Sequence, residues 1–192
     1  MFLDKVIDET MGAVAAAVRG VDNVASAITN IVKDQVVGVI KGAGEVTTAG
    51  VDVVSSVAVG AVKGAGQAGV SISDVAFSTM SGIVKGASQA GSDVIVAIRV
   101  GAEGVVKTTA ETGGDVGMAA VSVVKGAVHT AGEVGTDVSV AAKAAAGGAL
   151  DAATSVGGSA VDTVRNALLA SVELPRDAIE AAIKGSQDDK KQ

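Results

Sequence analysis

The 192-residue sequence contains no cysteine, tryptophan or tyrosine, two phenylalanines (Phe2 and Phe77) and a single proline, Pro175. Without cysteine there is no disulfide framework and no thiolate metal site. Leucine is absent between Leu3 and Leu150. Aromatic and other large side chains bury the most area per residue, so a chain this poor in them has little with which to fill a thick core. A conventional single-core enzyme is not expected. Long hydrophobic runs are also missing: the longest uncharged stretches, such as 53–62 between Asp52 and Lys63, reach only ten residues. A membrane-spanning helix needs about 20. The opening residues 1–20 lack the basic and apolar regions of a signal peptide. The net charge of −6, with no dense basic patch, argues against nucleic acid as a partner. The expected location is therefore the cytoplasm, peripheral to a membrane or lipid body.

What the chain does have is glycine, 26 residues of it, together with valine and alanine. These are periodic. Lys41, Asp52, Lys63, Asp74 and Lys85 follow one another at intervals of 11, and I-K-G-A-G-E (40–45), V-K-G-A-G-Q (62–67), V-K-G-A-S-Q (84–89) and V-K-T-T-A-E (106–111) at intervals of 22. Three columns run through the molecule in this register. An apolar column holds Val18, Ile40, Val62, Val84, Val106, Val128 and Leu150; beside it stand Arg19, Lys41, Lys63, Lys85, Lys107 and then His129. A glycine column holds Gly38, Gly60, Gly82, Gly104, Gly126 and Gly148.

Twenty-two residues make six helical turns of about 3.67 residues, close to the α-helical 3.6. Each repeat therefore returns to nearly the same face, and the repeat contains no proline to break it. The expected fold class is all-α: a long amphipathic helix or a helical hairpin of 22-residue repeats, oligomeric or lipid-associated. Local propensity argues the other way. Glycine costs about 1 kcal/mol against alanine in a helix, and valine and threonine are also poor helix formers. Stretches 51–59 and 94–100 read as strands, so a β-solenoid or amyloid-like assembly is the alternative. The expected organisation is an N-terminal amphipathic helix over 1–35, a continuous repeat rod over 36–150, C-terminal helices over 151–185 and a disordered tail over 186–192. Within the C-terminal part, Leu174-Pro175 breaks the chain and a short helix over 176–184 ends before Gly185. Gly113-Gly114, Gly147-Gly148 and Gly157-Gly158 are the expected kinks or turns.

On such a helix Arg19, Lys41, Lys63, Lys85 and Lys107 form a narrow charged stripe facing lipid headgroups or a neighbouring helix. Gly38, Gly60, Gly82, Gly104, Gly126 and Gly148 become helix-packing positions, because small residues let backbones approach closely. Other patterns resolve into the repeat. Gly64-Ala-Gly66-Gln-Ala-Gly69 imitates a dinucleotide fingerprint, with Asp93 downstream, but its equivalents at 42–47 and 86–91 mark it as repeat sequence. His129 stands in a column otherwise held by Arg and Lys, without partners for catalysis or metal binding. Glu103, Lys107, Glu111 and Asp115 read as a solvated i,i+4 ladder. No catalytic, cofactor-binding or metal residues are expected, and no cofactor.

The tandem 11- and 22-residue pattern resembles that of exchangeable apolipoproteins, perilipins and synucleins, most visibly in V-V-K-G-A-V-H-T-A-G-E-V (123–134) and G-V-V-K-T-T-A-E-T-G-G-D-V (104–116). That resemblance implies a non-enzymatic protein whose apolar face lies in a lipid interface with its lysines near the headgroups. The chain has fewer lysines per repeat and more glycine than those families, and lacks the prolines that punctuate apolipoproteins. A weaker, compositional similarity exists to the scaffold subunit that tethers mycobacterial uptake hydrogenase to the membrane. A period of about 3.67 residues predicts a slightly right-handed supercoil of associated copies. This gives the second reading: a self-associating helical scaffold, stalk or tube, extended by that similarity to one tethering an enzyme complex to a membrane. The expected partners are a lipid or membrane surface, further copies of the chain, and a protein docking on the C-terminal segment.

Overall fold

A computed structural model describes residues 2–42 and 48–188, and among the described residues it contains α-helices and no strands. The helices are α1 (Phe2–Ala17), α2 (Val24–Gly42), α3 (Thr48–Gln67), α4 (Ile72–Ala90), α5 (Val94–Glu111), α6 (Val116–Val134), α7 (Val138–Val156), α8 (Ala160–Ala170) and α9 (Arg176–Asp188). The expected rod over 36–150 is therefore not continuous. Nor is 1–35 one helix, since it spans α1, a turn and most of α2. The described residues are helical as expected, but in separate helices joined by turns.

Glycine, not proline, makes the five breaks from α3 to α8. After α3, α4, α5, α6 and α7 the chain passes through Gly69, Gly91, Gly113, Gly135 and Gly157 at φ of +74°, +72°, +75°, +76° and +82°. These positions are 22 apart, and side chains with a Cβ seldom enter this left-handed region. Two residues beyond the first four stands an N-cap: Ser71, Asp93, Asp115 and Asp137. Asp93 Oδ1 accepts from the Ile95 and Val96 amides at 2.9 and 3.0 Å, and Asp115 Oδ1 from the Met118 amide at 2.9 Å. The turn thus satisfies amides that a helix start would otherwise leave bare. Gly147-Gly148, expected as a kink, lies inside α7, whereas Gly113-Gly114 and Gly157-Gly158 do stand in turns. Asp115 ends the expected charge ladder, because it caps α6 across the turn from Glu111.

Such short turns make successive helices antiparallel. Each helix touches its chain neighbours and the helices two places away, so α1, α3, α5, α7 and α9 pack in series as one layer and α2, α4, α6 and α8 as the other. The core between them is thin and made of alanine and valine; its largest fully buried side chains include Ile28, Met80, Ile83, Ile98, Leu150 and Leu168. Two layers of small side chains need no thick filling, which reconciles a packed interior with the near-absence of aromatics.

The ends differ from the middle. Asp34 and Gln35 of α2 occupy the repeat positions held two repeats later by Ser78 and Thr79 of α4. Ser78 and Thr79 are buried, whereas Asp34 is exposed and Gln35 half-buried. A charged residue stands on α2 where α4 carries a small hydroxyl, so this face of α2 is polar. At the other end α8 ends at Ala170, and Pro175 precedes α9 with its carbonyl accepting from the Ile179 amide at 3.1 Å. The helix expected to stop before Gly185 runs on to Asp188; of the expected tail, 186–188 is helical and 189–192 lies outside the described residues.

Candidate functional site

Five members of the glycine column sit where one helix crosses the helix two places before it. A Cβ placed on Gly60 of α3 would lie 2.6 Å from the Ile7 carbonyl oxygen of α1. On Gly82 it would lie 2.7 Å from the Thr29 carbonyl oxygen, on Gly126 2.7 Å from that of Phe77, and on Gly148 2.1 Å from that of Arg99. Gly104 is slightly looser, at 3.3 Å from the Ser55 carbonyl oxygen. Each glycine also faces the side chain three positions further along that partner helix: Thr10, Val32, Ala58, Met80 and Ala102. Gly38, the first of the column, meets nothing within 4 Å. Its helix has no helix two places before it in this chain.

The seam changes register once. Gly60 and Gly82 meet the carbonyls of Ile7 and Thr29, which are themselves one repeat apart. Continuing that register would bring Gly104 to Val51, yet it meets Ser55, and Gly126 and Gly148 follow in the new register at Phe77 and Arg99. The step from Val51 to Ser55 is about one helical turn, roughly 6 Å of sliding. The sequence changes at the same place. Gly64 and Gly86 form a second tight contact one turn beyond the first, against Met11 and against Lys33 and Val36. The equivalent positions after the shift are Thr108 and Thr130. Both threonines are buried, and Thr130 Oγ1 donates to Ser81 Oγ at 3.0 Å.

The basic column does not form one stripe. Lys41 and Lys85 lie in one layer and Lys63 and Lys107 in the other, while Arg19 is exposed in the turn after α1. Folding back once per repeat sends alternate members to opposite faces. Lys85 Nζ pairs with Glu133 of α6 at 3.0 Å. That ammonium, by hydrogen bond first and charge second, holds the Glu133 carboxyl below the usual range. Lys125 of α6 makes an analogous bridge to Glu173, in the segment between α8 and α9. His129 reaches Glu133 at 3.5 Å and stacks at a tilt on Phe77, ring centres 5.8 Å apart. Among the described residues no group of His, Cys, Asp and Glu could hold a metal ion.

The surface of the odd-numbered layer holds a feature that the sequence does not single out. Between α5, α7 and α9 lies an apolar furrow of about 330 Å³. Ile95, Val96 and Val100 form one side, Val140 and Ala144 the middle, and Ala182 the other side. Val96 and Val140 remain 42% and 47% exposed along its rim. Arg99 reaches across α7 at Gly147, whose missing side chain leaves room for the guanidinium at 3.4 Å from where a Cβ would stand. Its Nε and Nη2 donate to Asp151 Oδ2 at 3.1 and 2.7 Å. Lys143 also lines the furrow and has no ion-pair partner closer than 4.0 Å among the described residues. Residues 95, 96, 99 and 100 on α5 and 140, 143, 144, 147 and 151 on α7 recur at helical spacing. That signal becomes legible only once their pairing across two repeats is known.

No protein-family model matches the chain, and no curated protein matches its sequence.

Proposed function

We propose that the protein is a non-enzymatic helical-repeat scaffold, folded before it meets any partner. The observation that carries this reading is the glycine seam. Gly60, Gly82, Gly126 and Gly148 bring helix backbones so close that no side chain fits, and the apolar faces of the repeats are consumed within the chain. A protein that coats lipid by single helices keeps that face for the bilayer. Here it is already buried by Val57, Val84, Val106 and their neighbours. The terminal α8 and α9 are likewise spent on the stack, against α6 and α7.

Association with a lipid surface is the second reading, favoured by the exposed Val96, Val138 and Val140 on one layer. No described helix is long and apolar enough to cross a membrane, so contact through that layer would be peripheral. Circular dichroism in buffer and with anionic vesicles, paired with sedimentation, separates the two. The scaffold gives a strongly helical spectrum and a defined mass in buffer, unchanged by vesicles. A chain disordered in buffer that becomes helical only on vesicles refutes the scaffold and supports the coat. A β-type spectrum in both conditions would sink either reading.

A further inference from the structure

We propose that the furrow between α5, α7 and α9 binds a single-chain alkyl anion, of the fatty carboxylate class, with its tail along the valines and its carboxylate at Lys143. This deepens the lipid reading above, narrowing it from a surface to one molecule in one place. A volume of about 330 Å³ lies at the lower end of small-molecule sites, which are concave, mostly apolar and carry few polar groups. The walls are Val96, Val100, Val140 and Ala182, with polar groups confined to Arg99, Lys143, Asp151 and Ser186.

Charge selects the ligand. The chain as a whole carries −6, but the furrow is lined by two cations and one anion, and Asp151 is already engaged by Arg99. That leaves the exposed Lys143 ammonium as the furrow cation with no ion-pair partner within 4.0 Å among the described residues, with Asp177 further off in the adjoining cleft. A neutral alkane would gain nothing from that cation, and a cationic amphiphile would meet repulsion. Two glycines keep the space open. Gly147 admits Arg99, and Gly185 presents bare backbone to the furrow with nothing within 4 Å of a would-be Cβ.

The test uses the full chain and decanoate below its micelle concentration, with decyltrimethylammonium as the cation of equal tail. Titration calorimetry is expected to show saturable one-to-one binding of decanoate and weaker binding of the cation. Gly185→Leu grows a side chain into open space on a helix without backbone strain, and it is expected to weaken decanoate binding roughly tenfold or more by filling the furrow. Lys143→Glu, a change at an exposed position, is expected to cost about fivefold and to reverse the preference between the two amphiphiles. Equal affinity for anion and cation, or unchanged decanoate affinity in Gly185→Leu, would overturn the proposal. So would binding to anionic vesicles with none to monomeric decanoate, which leaves the surface reading standing. Decanoate binding without vesicle binding supports the furrow and removes the surface.

Discussion

Replacing Gly148 with alanine adds one methyl group where α7 crosses α5. The new Cβ would stand 2.1 Å from the Arg99 carbonyl oxygen and 3.2 Å from the Ala102 Cβ. Ordinary van der Waals contact begins at 3.4 Å, so the backbones must part by more than an ångström. The obstacle is main chain, and no side chain can swing aside to clear it. A gap of about 0.5–1 Å already forfeits a quarter to a half of each dispersion contact along a seam. Overpacking of this kind costs about 1–3 kcal/mol, against a helix-propensity gain of up to about 1 kcal/mol for removing a glycine. The expected net loss is about 1 kcal/mol, a fall in Tm of roughly 2–4 °C for a chain of this size. Gly132→Ala is the control: it lies in α6 with nothing within 4 Å of its would-be Cβ, and is expected to gain up to about 1 kcal/mol. Urea and thermal unfolding followed by helical circular dichroism would read both. If Gly148→Ala were as stabilising as Gly132→Ala, the backbone crossing would not exist.

The turns make their own predictions. Asp115→Ala removes the acceptor for the Met118 amide and should cost about 1 kcal/mol, with Asp115→Asn much milder. Gly135→Ala, at φ +76°, should cost about 1–2 kcal/mol, although a nearby helical Gly→Ala at residue 132 stabilises; denaturant midpoints compare them directly. Glu133 supplies a pH test. Its carboxyl is depressed by Lys85, so the pair's contribution is complete above the unfolded carboxylate pKa and is lost as pH falls through the lower folded value. Lys85→Met should raise the Glu133 midpoint seen by carboxyl NMR, while Lys107→Met leaves it alone; an unmoved midpoint in Lys85→Met would show that the bridge does not form in solution.

Helicity is legible in the sequence because a 22-residue register returns apolar and small residues to one face. The folding back is harder to see, for a specific reason. The absence of proline suggests an unbroken rod, while the pattern Gly-x-Ser/Asp at 69–71, 91–93, 113–115 and 135–137 spells a left-handed stop followed by an N-cap. Both glycine columns have the same period, and only their neighbours distinguish them. Gly126 is followed by Ala127 and Val128 and lies in a crossing, whereas Gly135 precedes Thr136 and Asp137 and makes a turn. The furrow is illegible for another reason. Arg99 and Asp151 are 52 residues apart, and nothing local announces that two antiparallel steps bring them together.

Contacts in this stack join a helix only to those one or two places away. The start of the chain and its end therefore share no direct interface among the described elements. Chain entropy is recovered in small instalments as neighbouring helices close, so folding can begin at any set of three helices and spread outward. Opening follows the same logic in reverse: the ends should exchange their amide protons first, and protection should rise towards α4 and α5. A disturbance at α1 reaches α9 only by passing through the helices between them. The molecule behaves less like a body with a centre than like a line with a middle.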